Sequence, residues 1–190
     1  EDDAPPDLDH DITVLISDWL MQEDGSLTDE FTNMHSLAHA GYMGNYARAF
    51  LSQQQVKHGD RVRLRLINAA TNRIFSTLIS GVTGSVVALD GMALSQPRLL
   101  TELVLAPAQR ADLVVDINGP VGFDMVTPQG PYHLADLAVS GTNTNRKTGP
   151  IAALAPPNLP PPDKPTQHLT LTMMGGAMGG RHAGDNIWAF

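Results

Sequence analysis

The 190-residue chain has no cysteine. That removes disulfides, thiolate metal ligands and thiol nucleophiles together, and it leaves the compartment open, since a chain without cysteine suits cytoplasm and periplasm equally. Basic side chains are also scarce: 12 Lys and Arg stand against 20 Asp and Glu, a net charge of −8. Without a long basic run, nucleic acid and anionic membrane surfaces are poor partners. No apolar run approaches the roughly 20 residues a membrane-spanning helix needs. The opening Glu1-Asp-Asp-Ala-Pro-Pro has neither the positive region nor the apolar stretch of a signal peptide, so an export signal of the parent protein is expected upstream of Glu1. No nucleophile elbow, phosphate-binding loop or internal repeat is present.

What is there points to strands. The length suffices for one domain with a sizeable core and an appendage. The 42% apolar content argues against disorder, and 14 prolines with 17 glycines favour turns and short strands over long helices. Arg61-Val-Arg-Leu-Arg-Leu-Ile-Asn68 alternates charged and apolar side chains with the period of a half-buried strand. The pattern predicts Val62, Leu64 and Leu66 in the core and the three arginines outside. Further strands are expected at 12–19, 74–79, 85–89, 103–116, 123–127 and 132–139, with turns at Val56–Asp60, Asp90-Gly91 and Gly119–Gly122. Residues 21–33 look like loop. Leu37 and Ala38 favour a short helix that Gly41 and Gly44 end. Many short strands at close spacing indicate a β-sandwich.

The polar stretch 141–150 is expected to be an exposed loop. Six prolines between Ala155 and Pro165 describe an extended linker. His168-Leu-Thr-Leu-Thr-Met-Met174 alternates again, and glycine-rich 175–180 follows. The expected boundaries are a domain at 1–155, a linker at 156–167 and, at 168–190, the first strand region of a following domain.

Three phrases carry a resemblance: GDRVRLRLINAATNRIF (59–75), VVALDGMAL (86–94) and LAPAQRADLVVD (105–116). With HDITVLISDWL (10–20) and HLTLTMMGGAMGG (168–180), they resemble the middle cupredoxin-like domain of a three-domain, laccase-like multicopper oxidase. The stretch Gly44–Gln55 departs from that pattern where the family commonly has an Asn-Gly turn. The resemblance implies an all-β, cupredoxin-like Greek-key sandwich, periplasmic or secreted. It implies no cofactor in this chain, copper in the flanking cupredoxin domains, and a parent that oxidises phenolic or metal-ion substrates while reducing dioxygen to water. The family's copper centres use two His and a Cys, and four His-x-His pairs. This sequence has no Cys and no His-x-His, as the copper-free middle domain should, so the chain alone is expected to be inactive.

Weaker metal candidates remain. His35 and His39, four apart, would share a helical face, but they lack a third ligand and a neighbouring base. The plainer reading is a turn or a helix packing on its neighbour. Met173, Met174 and Met178, near His182, offer soft ligands for Cu(I), although Met is also a common gap filler. Arg110 and Asp112 point to one face and read as a surface or edge ion pair. Trp19 reads as packing, and Asn68 as bonded to its own loop. Rival readings are a scaffold of the same superfamily that lost its coppers, and a free-standing immunoglobulin-like binding module. The partners expected are the flanking domains, with self-association through the C-terminal strand as a further route.

Overall fold

A computed structural model describes residues 7–29, 38, 41–156, 159–160, 164–165, 167–175 and 188–189. Eleven strands build the sandwich: β1 His10–Trp19, β2 Tyr46–Leu51, β3 Gln55–His58, β4 Arg61–Asn68, β5 Phe75–Ile79, β6 Val82–Leu89, β7 Met92–Leu99, β8 Leu103–Leu105, β9 Arg110–Ile117, β10 Val121–Thr127 and β11 Gly130–Thr142. One sheet has six strands in the order β2-β1-β4-β9-β6-β7. The other has five, in the order β3-β11-β10-β5-β8. Pairing is antiparallel except for β1 with β4 and β3 with β11. The architecture is the cupredoxin-like β-sandwich expected from the sequence.

The core lies between the sheets. Ile12, Val14 and Ile16 of β1, Val62, Leu64 and Leu66 of β4, and Leu113, Val115 and Ile117 of β9 are fully buried against Phe75, Leu105, Phe123, Leu134 and Leu137. Period-2 alternation delivers one side of each strand to this layer. The 61–68 strand is found at its expected limits.

The arginines correct the expectation. Arg61 is 9% exposed and Arg63 only 4%; Arg65 alone is substantially exposed, its side chain at 40%. The outer face of the six-stranded sheet is therefore not simply solvated. Over β4 and β9 it is crossed by residues 147–154, which line a cleft with Asp7, Leu8, Arg61 and Val114. Val114, on this outer face, is 3% exposed for the same reason.

The 141–150 stretch is mostly exposed, as expected, but it is tied to the sandwich. Its backbone is irregular from Asn143, but Asn143 donates to Asp60 Oδ1 at 2.8 Å, Lys147 meets Asp9 at 2.7 Å, and Gly149 accepts from Arg61 at 3.0 Å. Gly59 (φ +89°) allows this approach, since a Cβ there would lie 2.7 Å from the Arg146 side chain.

β2, β3 and β7 were not anticipated, and the stretch 103–116, expected as one strand, divides into β8 and β9, which belong to different sheets. β2 falls in the stretch that departs from the family pattern, and β3 occupies what reads as a turn before β4. β7 contains Pro97, which the sheet accommodates because β7 is an edge strand. The alternation at 168–174 does not make a strand. Residues 167–173 have no regular structure, with Leu169 85% and Leu171 75% exposed. Only Met174–Gly175 (β12) pairs, with Trp188–Ala189 (β13), as a separate two-stranded sheet. The expected short helix falls almost wholly outside the described residues; Ala38 is helical.

Candidate functional site

The outer face of the six-stranded sheet carries, from β9 to β2, a charged part and an aromatic part, with β6 and β7 beyond them. Its charged part runs across β1, β4 and β9. Arg61 grips Asp116 with two hydrogen bonds, Nε to Oδ1 at 2.7 Å and Nη2 to Oδ2 at 2.9 Å. Arg63 donates from Nε and Nη2 to Asp112 Oδ2 at 3.2 and 2.5 Å. Arg65 holds Asp11 at 2.7 and 2.6 Å and lies 3.7 Å from Asp112. Register explains the set: Arg61 opposes Asp116, Arg65 opposes Asp112, and Asp11 lies beside Arg63. Charge-assisted forks of this kind are the strong form of the bond. The bonds to Asp116 raise the Arg61 pKa, against the opposing effect of burial.

Asp112 therefore pairs with Arg63, not with Arg110. Arg110 instead donates its backbone N–H and its Nη2 to the turn residue Asp90, at 2.9 and 3.0 Å. β9 is interior to the sheet, so the expected edge pair does not exist.

Beside this ladder the chain crosses itself. Lys147 bonds Asp9 and lies 3.4 Å from Asp7. Burial tends to raise the Asp9 pKa, but the Lys147 hydrogen bond, the Arg61 N–H and the charges of Lys147 and His10 outweigh it and hold the carboxyl low. The bond to Asp9 in turn raises Lys147. His10 completes the tie. Its Nδ1 lies 3.0 Å from Gln53 Nε2 and its Nε2 lies 3.2 Å from buried Asp60.

The other part is aromatic. Leu15 lies opposite Phe50, and Trp19 opposite Tyr46, across the β1–β2 pair. Trp19 meets Phe50 edge to face at 5.8 Å and Tyr46 at 6.4 Å. Arg48 sits 4.6 Å over the Tyr46 ring. Behind the patch, Asp18 is buried and bonded to Arg73 Nε and the Gly44 N–H, each at 2.7 Å. A Cβ at Gly44 would lie 2.5 Å from the Trp19 backbone, which fixes the loop before β2 against β1. Sequence reasoning took Trp19 as simple packing and missed its partners, because strand pairing, unlike alternation, is not written in one strand. Asn68 does hold its loop as expected: it donates to Arg73 O and Leu105 O and accepts from the Ala70 N–H.

These residues do not fit a copper centre. The chain offers no thiolate, and no three His, Asp or Glu among the described residues are arranged to hold a metal. His35, His39, Met178 and His182 lie outside the described residues. Met174 is in β12, 42% exposed, and the preceding Met173 is 60% exposed. His58 ends β3, while His133 contacts Asp124 and Asp136 at 3.1 and 3.3 Å on the surface.

A buried sandwich core under a charged ladder, with no metal-binding set of His, Asp or Glu among the described residues, defines a cupredoxin-type β-sandwich. The family model described as multicopper oxidase matches residues 10–147, and the chain belongs to that family. Among solved structures it is similar to Lac15 from a marine microbial metagenome, with 44% identity and a TM-score of 0.74, over 85% of this chain and 40% of that one. The fold is also that of a multi-copper oxidase from Pseudomonas thermotolerans, with 23% identity and a TM-score of 0.66, over 84% of this chain and 39% of that one. A multicopper oxidase LPR1 homolog 5 from Oryza sativa subsp. japonica is 30% identical over 113 residues, 58% of this chain and 17% of the relative. The chain thus spans about 40% of the solved relatives and less of the curated one.

Proposed function

We propose that this chain is the copper-free middle domain of an exported, periplasmic or secreted multicopper oxidase. It would hold two copper-bearing cupredoxin domains at a fixed spacing, the Pro-rich stretch 156–167 linking it to the domain that begins at 168. The observation that carries this reading is a family member that fills only 40% of a 44% identical relative and has no cysteine and no His-x-His. The chain's contribution is rigidity. Buried strands and bidentate Arg–Asp pairs hold the sandwich in a single arrangement, and a spacer between reacting domains needs that. In the parent, four one-electron oxidations of phenolic or metal-ion substrate would supply the four electrons that, with four protons, turn one dioxygen into two waters.

The test compares the 190-residue chain with the complete polypeptide after copper loading and dialysis, by metal analysis and by oxygen uptake with a phenol. Copper and turnover are expected in the complete polypeptide only. A blue absorption band from the 190-residue chain would overturn the copper-free assignment. A complete polypeptide without copper would make the protein a scaffold of the same superfamily instead.

A further inference from the structure

We propose that the aromatic part of the six-stranded sheet's outer face, formed by Leu15, Trp19, Tyr46 and Phe50, is the seat of a flanking domain of the same polypeptide. The inference rests on the multidomain reading above and adds where the neighbour sits.

Three observations carry it. The first is composition against exposure. The chain has only five Phe, three Tyr and two Trp, yet Phe50 is 53% and Tyr46 39% exposed, beside Leu15 at 39%. These side chains lie on neighbouring strands with their rings in contact. A contiguous apolar patch of this kind marks an interaction surface, where a single exposed apolar side chain would not.

The second is where the polypeptide enters and leaves the sandwich. Asp7, Leu8 and residues 147–154 lie together over Arg61 and Val114 on this same face, tied by Lys147 to Asp7 and Asp9. Both connections to the rest of a longer chain therefore run over this face.

The third is continuity. Residues 147–154 line the β4 and β9 part of the face, which leaves β1–β2 open on one side and β6–β7 on the other; the rings lie on the β1–β2 side. Relatives more than twice this chain's length have additional polypeptide to place there. The occupant must present a largely apolar surface, because the patch offers rings and a leucine, and Arg48 is already engaged with the Tyr46 ring and the His133 carbonyl.

The test is thiol labelling. Phe50→Cys and, separately, Leu15→Cys are made in the 190-residue chain and in the complete polypeptide, with Leu78→Cys on the other sheet's outer face as control; Leu78 is 43% exposed. In the complete polypeptide the thiols at positions 50 and 15 should react with a maleimide about tenfold more slowly or less, since a docked domain restricts access. The control should react equally in both. Equal rates at positions 50 and 15 in the two proteins would overturn the proposal. So would protection in the 190-residue chain that grows with its concentration, because the occupant would then be a second copy. Labelling needs neither copper nor turnover, so a complete polypeptide without copper would refute the oxidase reading and leave this result standing.

Discussion

Replacing Leu64 with Ala removes a side chain with no solvent exposure from the centre of β4. The cost should be about 2–5 kcal/mol by urea unfolding, the range for a buried leucine that leaves a cavity. Its neighbour Arg63 would look harmless to replace if alternation alone were consulted. In the fold its side chain is 5% exposed and paired with Asp112, itself 14% exposed. Arg63→Ala would strand that carboxylate, with Arg65 at 3.7 Å as partial compensation, and should cost about 1–3 kcal/mol. Arg65→Ala, at the exposed pair with Asp11, should cost under about 1 kcal/mol. Equal small effects for Arg63 and Arg65 would return both arginines to solvent. The contrast marks how far the sequence could be read. A period of two separates Leu64 from Arg63, but it does not say what lies on the arginine side. That depends on residues 147–154, more than eighty positions away. Asn68 was legible because its partners include its own loop, whereas the Arg63–Asp112 pair needed the β4–β9 register.

At the scale of elements, the segment after β11 behaves as a strap, and its fastening should respond to pH. Asp9 is held below its ordinary value of 3.8, so its contribution is complete at neutral pH and fades as pH falls below that value through the folded-state pKa. Lys147 is held above its ordinary 10.5; its contribution is complete below that and is lost as pH climbs through the raised value. The tie is therefore whole across the interval between them. Asp9→Asn should lower the thermal midpoint at neutral pH and flatten its fall in acid. Wild-type and variant curves running parallel from about pH 6 to about pH 3 would mean that Asp9 is not the fastening group. The strap was illegible for a physical reason: 141–150 is polar and aperiodic, as loops are, and its attachments are the isolated side chains of Asn143 and Lys147 on Asp60 and Asp9 and single backbone groups of Asn143 and Gly149 on His58 and Arg61. The sandwich strands were legible because each repeats its period several times. β2 and β3 escaped because they are short edge strands, where packing constrains composition least.

For the whole molecule, the question is what the C-terminal part contributes to the sandwich. The two sheets end at β2 and β7 and at β3 and β8, and beyond Asn143, which bonds the His58 carbonyl, no described residue extends any of these edges. β12 and β13 pair only with each other, and an isolated two-stranded ribbon is marginal in water. The apolar side chains before it, Leu169, Leu171 and Met173, are exposed and bury little surface that could stabilise the fold. Chain ending at Pro165 should therefore unfold within about 2 °C of the 190-residue chain, less than the shift about 1 kcal/mol produces in a domain this size. It should also self-associate less in sedimentation, because it lacks the exposed apolar side chains of Leu169, Leu171 and Met173. Chain ending at Thr142 should behave differently. It loses the strap over Arg61 and Val114 and should unfold several degrees lower, by roughly the amount that one or two buried hydrogen bonds contribute. A large loss of stability from the cut at Pro165 would mean that residues 168–190 close the sandwich, and the domain boundary would then belong after Phe190 rather than within 156–167.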